Sequence, residues 1–286
     1  MNSQKNHNVD DYAKLPASPD TRAFRPHFSE HAGGAPRTPM PFTITSAESE
    51  ICRICHGSGW APAEIAGTVR RCDCIIALRI EQLLAKARIP ARYKGCELDG
   101  YGPLNSSQKN AKMLVQKFLD NYPPLYENGR GILFIGPCGV GKTHLAVSLL
   151  KHVITKKGDS GLFYDFRDLL REIQGTWNPA SQASELEILR PVIDAKVLVL
   201  DELGANKPTM WVRDTVAHII NCRYNEQKTT IFTSNFPDKP VKEGEETLTD
   251  RIDTRLRSRL YEMCHTIEIK GSDFRQDIKK ASFHNN

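Results

Sequence analysis

The sequence predicts an α/β fold: a three-layer α/β/α core on a mostly parallel five-stranded sheet, preceded by a small cysteine-bearing unit and an irregular arm. Three observations carry that expectation. From Gly131 onward, short apolar runs alternate with helix-length stretches. The first run, Ile132-Leu133-Phe134-Ile135, leads straight into a glycine-rich turn and then a helical pattern. A later run, Val197-Leu198-Val199-Leu200, is apolar at successive positions, as a strand covered by helices on both faces must be.

In chain order, residues 1–48 are rich in Pro, Ser, Asn and Gly and have neither helical nor strand period, so a disordered arm is expected. A cysteine cluster follows. Then 75–87 suits a helix through Ile76, Leu78, Ile80, Leu83 and Leu84, stopping before Pro90. Residues 49–90 are thus one small unit, and 91–104 a linker. Ser106 or Ser107 can cap a helix carrying Met113, Leu114, Phe118 and Leu119 that ends near Tyr122-Pro123-Pro124. The core domain spans 105–276, with strands at 132–135, 162–166, 197–200, 230–233 and 265–270 and crossover helices at 144–156, 166–173 and 211–225. Residues 277–286 form a tail.

The 286 residues suffice for one sizeable core plus an accessory piece, and 40% apolar content is ordinary for a soluble protein. Met1 to Lys14 is polar, with no secretory apolar region, and no run reaches membrane-spanning length. A cytoplasmic protein without membrane contact is expected, its eight cysteines serving as thiols or metal ligands rather than disulfides. A net charge of +5 permits contact with an acidic polymer but equally describes a solvated surface.

The turn after the first strand reads Gly136-Pro137-Cys138-Gly139-Val140-Gly141-Lys142-Thr143, and His144 continues into the helix. Glycines at this spacing let backbone N–H groups point at phosphate oxygens beside the positive end of the helix, so a P-loop binding the phosphates of a nucleotide is expected over Gly136 to His144. Lys142 would reach the β- and γ-phosphates, and Thr143 would place its hydroxyl on Mg²⁺. Asp201-Glu202 ends the buried strand at 197–200: Asp201 is the expected second Mg²⁺ partner, and Glu202 the residue that orients and deprotonates the attacking water. An acidic pair that merely ends a strand is the alternative. Thr233-Ser234-Asn235 ends the next strand, where an Asn235 amide could hold that water, or simply open a turn.

The cysteine cluster reads Cys52-Arg53-Ile54-Cys55-His56-Gly57-Ser58-Gly59, then Cys72-Asp73-Cys74. Two close pairs of thiolates can meet a tetrahedral Zn²⁺, and the glycines allow a knuckle turn. The single residue between Cys72 and Cys74 departs from the usual gap, and His56 could replace one thiolate. Cys96, Cys222 and Cys264 are scattered and expected to be buried. Cys138 lies among helix-end N–H groups, which favours an oxidation-sensitive thiol.

These parts in this order resemble an AAA+ ATPase, and in detail the DnaC/DnaI-type helicase loaders and related IstB transposition helpers. The resemblance covers about 50–276 and rests on the P-loop, Leu200-Asp201-Glu202-Leu203-Gly204, 230–235, Ser258-Arg259-Leu260-Tyr261-Glu262-Met263 and Gly271-Ser272-Asp273-Phe274-Arg275. It implies ATP hydrolysis, self-association through a shared ATP site, and engagement of a replicative DNA helicase and single-stranded DNA. It gives Asn235 a sensor role, Arg259 the role of a finger reaching a neighbouring subunit's site, and Arg275 that of a second sensor. Arg251, Arg255 and Arg257 crowd the same stretch, and Arg251, Arg255 and Arg259, spaced by four, are expected along one helical face. The front unit would contact the helicase. An extra helical stretch within 168–191, with Arg171, Trp177, Arg190 and nearby Lys196, would face DNA, although a lone Trp at a helix end is equally a core residue. Two alternatives remain: an IstB-like ATPase helper of a transposase, and an ATP-binding scaffold without turnover.

Overall fold

The computed structural model of the chain describes residues 51–65, 67–122, 128–178, 180–240 and 242–277. The expected arm, the Pro123-Pro124 helix end and the tail beyond Asp277 lie outside the described residues. From Ile51 onward the chain belongs to one compact unit.

That unit opens with an antiparallel hairpin, β1 (Trp60–Pro62) and β2 (Val69–Arg71), followed by α1 (Asp73–Lys86). The helix begins two residues before the expected start because Asp73 suits a first turn, where a carboxylate meets the positive end of the helix. The buried Ala87 follows α1, and its carbonyl accepts the backbone N–H of Phe163, 2.8 Å away. Residues 91–104, expected as a linker, are mostly exposed but anchored at three positions. After a 3₁₀ turn (Ala91–Tyr93), Cys96, Leu98 and Tyr101 are buried in the apolar cluster that supports the P-loop. Leaving them in water would expose a large aromatic ring and two small apolar groups, which explains why this stretch adheres to the core.

Asn105, not Ser106 or Ser107, caps α2 (Ser106–Asp120): its side chain accepts the Gln108 N–H at 2.9 Å. The core alternates from there. β3 (Gly131–Ile135) leads into α3 (Lys142–His152), which ends in a π turn, Val153–Lys157. β4 (Gly161–Asp165) leads into α4 (Phe166–Gly175), capped by Asp165. After α5 (Glu185–Asp194), with its Ser184/Glu187 capping box, come β5 (Val197–Asp201), α6 (Met210–Asn225) and β6 (Thr229–Ser234). Two short helices, α7 (Leu248–Ile252) and α8 (Thr254–Met263), precede β7 (Cys264–Glu268) and a final turn, α9 (Phe274–Asp277).

The five core strands are all parallel, in the order β4-β5-β6-β3-β7. Period-two alternation divides their side chains between two cores. Ile132, Phe134, Val197, Val199 and Ile231 face the side that includes α2 and α3, whereas Leu133, Ile135, Leu198, Leu200 and Phe232 face the side that includes α4 through α8. This is the expected three-layer arrangement.

Asp253 separates α7 from α8. Its φ of +83° turns the chain, and its carboxylate accepts the N–H groups of Arg255 and Leu256. Arg251 therefore does not share a helical face with Arg255 and Arg259, because the expected continuous helix is broken between them. Arg223 is fully buried on α6 and donates to the carbonyls of Val192, Ile193, Ala195 and Thr229 and to the Thr230 hydroxyl, tying the end of α5 to the start of β6.

Candidate nucleotide site and cysteine cluster

The carboxyl end of the sheet gathers most of the residues expected at the nucleotide site. A cavity of about 360 Å³ there is lined by Cys138, Gly139, Gly141, Lys142 and Thr143 of the loop. Glu202 and Asn235 line it from the neighbouring strands, Arg275 from the final turn. Gly136 and Gly141 hold φ of +146° and +98°, and a side chain at Gly136 would meet the Ile269 carbonyl at 2.1 Å. Only glycine fits there.

Lys142 is buried, and its ammonium donates to the carbonyls of Gly136 (2.8 Å) and Pro137 (2.7 Å) and to Asn235 Oδ1 (2.7 Å). Burial pulls its pKa down to about 8. The Thr143 hydroxyl donates to Asp201 Oδ1 at 2.9 Å, and the Thr233 hydroxyl reaches the same oxygen at 2.5 Å. Burial pushes Asp201 up to about 6, against the pull of these two hydroxyls. A cation and a carboxylate, each short of hydration, flank a space lined with backbone N–H groups: a setting that suits a polyphosphate and its divalent metal. Thr143 and Asp201 could hold that metal, and their oxygens already meet.

Glu202 sits at φ +57°, its N–H donating to Thr233 Oγ1 at 3.0 Å, and its carboxylate lies 3.1 Å from the Arg167 guanidinium. His144 borders the cavity while its ring nitrogen Nε2 meets the Glu97 carbonyl at 2.9 Å and its ring packs 5.4 Å from Tyr101. Val140 is buried, and its carbonyl accepts the Tyr101 hydroxyl at 3.0 Å. Sequence reasoning missed Arg92, Tyr93, Tyr101 and Gln108, which complete the cavity wall. The apolar residues at 96, 98 and 101 were the available signal.

The arginines separate clearly. Arg257 is buried, paired with Asp238 at 2.6–2.7 Å and stacked on Tyr261, so it is a core ion pair rather than a candidate finger. Arg251 is engaged with backbone carbonyls of its own subunit. Arg255 is exposed, and Arg259, half-buried, lies 5.8 Å from the Tyr224 ring, away from the cavity of its own subunit. Trp177 is 56% exposed, edge-on to Trp211 at 5.0 Å, which removes the core reading for it. Arg171, Arg190 and Lys196 pair with Asp168, Asp194 and Asp159. Of the scattered cysteines, Cys96 and Cys264 are buried, Cys138 is exposed, and Cys222 is only half-buried, 3.8 Å from His218 Nδ1.

The sulfurs of Cys52, Cys55, Cys72 and Cys74 all lie within 4.8 Å of one another, with Cys52–Cys72 at 3.8 Å and Cys55–Cys74 at 3.4 Å. A tetrahedron of thiolates around zinc, with bonds of about 2.3 Å, has edges of ~3.8 Å, so the four fit the ion. Cys72 follows β2 as the cap of α1 and Cys74 enters the helix's first turn, and this change of backbone course lets a one-residue gap bring both sulfurs to one point. Backbone N–H groups of Cys55 and Ile54 pull the Cys52 thiol down to about 6, preparing a thiolate. His56, at φ +48°, is exposed and outside the cluster.

A phosphate-type loop at the end of a central parallel strand, with paired threonine and aspartate and an adjoining glutamate, defines an ATP-binding protein of the AAA+ type. The chain belongs to the family of IstB-like ATP binding proteins, whose model matches residues 98–282. It is 24% identical to a replicative helicase loader DnaC of Buchnera aphidicola, over 63% of this chain and 71% of that one. A crystal structure of a DnaC helicase loader superposes with a TM-score of 0.56 at 35% identity, covering 63% of this chain and all of the other. An insertion sequence IS21 ATP-binding protein of Pseudomonas aeruginosa is 34% identical over 54% of this chain and 56% of its own. Among the described residues, no helix is long and apolar enough to cross a membrane.

Proposed function

We propose that the protein is a helicase-loader-type ATPase: it hydrolyses ATP with Mg²⁺, self-associates through a shared ATP site, and engages a replicative DNA helicase and single-stranded DNA. One observation carries the hydrolytic part, namely the meeting of Thr143, Asp201 and Thr233 beside Glu202 at the mouth of the loop. Lys142 would neutralise the β- and γ-phosphates, and Thr143 and Asp201 would hold Mg²⁺, which would supply a Lewis acid to those phosphates. Glu202 takes the proton of the attacking water while Asn235 orients it. Arg275 approaches from the same subunit, and Arg259, half-buried and outside the cavity of its own subunit, is the finger in trans with the exposed Arg255 as the next candidate. Measured by phosphate release, Glu202→Gln should lower turnover about 10²- to 10⁴-fold while leaving ATP binding intact. Unchanged turnover would remove the hydrolytic reading and leave the scaffold.

The partner assignments draw on the loaders to which the chain is similar and on two surfaces. The front unit, built on the cysteine cluster with zinc as its expected staple, exposes the apolar side chains of Ile54, Trp60, Ile65 and Val69, which a protein partner can cover. Trp177, exposed and backed edge-on by the half-buried Trp211, offers an aromatic ring on which a base can stack. Because Ala87 is buried and bonded to β4, deleting residues 1–90 would damage the ATPase core, so point changes are the better probe. Ile54→Asp with Trp60→Glu should abolish capture of the purified replicative helicase and spare ATP binding; retained capture sinks the assignment. The transposition reading draws on the 34% identity to the IS21 protein, and binding of a co-encoded transposase in place of helicase would favour it.

A further inference from the structure

Two loops carry the groups that handle the attacking water in the proposed hydrolysis: the one after Glu202 and the one after Asn235. They are bound to each other in two ways. Ser234 Oγ donates to the Leu203 carbonyl at 2.8 Å and accepts the Phe236 N–H at 3.2 Å. Arg251 reaches in from α7. Its Nε donates to the Gly204 carbonyl at 2.8 Å and its Nη2 to the Asn206 carbonyl at 2.6 Å, while Nη1 pairs with Glu246 at 3.0 Å. The flat face of the guanidinium lies 4.7 Å from the centre of the Phe236 ring. Gly204 turns at φ +84°, and a side chain there would come within 3.0 Å of Arg251 Cβ and 3.4 Å of the Phe236 ring, so the glycine admits the arginine.

We propose that Arg251 is a positioning residue of the ATP site, acting within its own subunit to hold the Glu202 loop and the Asn235 loop in fixed register. The proposal rests on the hydrolytic reading. Three features of the arginine serve it together: a planar fork that donates in three directions, a stacking face, and a side chain only 9% exposed. Lysine keeps the charge but has neither fork nor face. One guanidinium spans both loops, so its loss lets Glu202 and Asn235 shift relative to each other while the phosphate-binding residues of the P-loop stay in place. The chemical step should suffer, and nucleotide binding should not.

The test is steady-state hydrolysis of MgATP by the full chain, with affinity for a non-hydrolysable ATP analogue and thermal melting measured alongside. Arg251→Lys should lower kcat about 10-fold or more, with analogue affinity within about twofold of wild type. Glu246→Gln, which loosens the fork from its outer side, should show a smaller drop in the same direction. An unchanged kcat in Arg251→Lys overturns the proposal, as does a loss of analogue affinity in step with kcat, which marks general damage. Mixing Arg251→Ala chains with Glu202→Gln chains separates cis from trans: restored turnover would place Arg251 in a neighbour's site and overturn the proposal, and no restoration supports it. Wild-type turnover in Glu202→Gln alone would mean instead that the hydrolytic reading has failed, and this proposal with it.

Discussion

The Glu202 carboxylate is held 3.1 Å from the guanidinium of Arg167, a residue on the first turn of α4, across the carboxyl ends of two neighbouring strands. The glutamate proposed to activate water thus spends its charge on a neighbour. Both side chains are partly exposed, so the pair is worth about 0.5–1 kcal/mol. Breaking it should free the base at little cost to the fold.

Arg167→Ala is therefore expected to raise basal ATP turnover about two- to fivefold, the equivalent of that pair energy, with nucleotide affinity unchanged. Phosphate release measured without DNA or helicase checks it. A rate equal to or below wild type would show that the pair does not restrain Glu202.

Asp201 makes the nucleotide-free protein sensitive to pH in a defined sense. Its folded pKa is raised to about 6 from 3.8, so the folded state binds the proton more tightly than the unfolded one. The cost of ionising it is absent below about pH 4, grows between pH 4 and 6, and is complete above. Asp201→Asn should accordingly gain stability on wild type across that window, up to about 3 kcal/mol at neutral pH, while losing Mg²⁺-dependent turnover. Melting curves of the two proteins at pH 4, 5, 6 and 7 give the comparison, and a flat difference contradicts it.

The four sulfurs fit one zinc ion, so the purified protein should carry stoichiometric zinc by elemental analysis, lost in Cys72→Ser. Chelation should unfold the hairpin while ATP binding persists, since the P-loop and its metal partners draw no ligand from the cluster. Full zinc retention in Cys72→Ser would show that the cluster is not the site.

Cys138 is exposed and lines the nucleotide cavity, so an oxidised or alkylated sulfur there would occupy phosphate space. Peroxide should inactivate wild type faster than Cys138→Ser, and MgATP should slow the reaction. Equal inactivation rates with and without the cysteine would dismiss it.

Gly141 is a second loop position where a side chain does not fit. At φ +98° any side chain is strained, and its first carbon would lie 2.5 Å from the Tyr101 ring. Gly141→Ala should weaken ATP binding about tenfold or more and lower the melting temperature, measurable by nucleotide titration and calorimetry. Wild-type affinity in that variant would mean the loop tolerates the displacement.

The strands were legible because each is a short apolar run between turn residues, and the nucleotide residues because their spacing is local. Neither condition holds for the remainder. Residues 91–104 carry Gly95, Gly100, Gly102 and Pro103, which read as a linker, yet Tyr101 is drawn into the core by a cavity formed from distant strands. Asn105 beats Ser106 and Ser107 to the cap of α2 through backbone geometry, and all three are good caps by composition. The regular spacing of Arg251, Arg255 and Arg259 misled because the left-handed turn at Asp253 carries no signature in the neighbouring residues. The Arg167–Glu202 pair and the buried Arg223 depend on contacts between elements, where periodicity is silent.

The stretch from Ala87 to Tyr101 touches both ends of the molecule's work. At Ala87 it is fastened to β4 directly behind the cysteine-bearing unit, and at Tyr101 it is bonded to the loop that would cradle phosphate. The cysteine-bearing segment and the phosphate loop thus belong to one compact unit. Order that a partner imposed on that segment would have a bonded route to Val140 and Gly141, and any coupling along it would run equally in both directions.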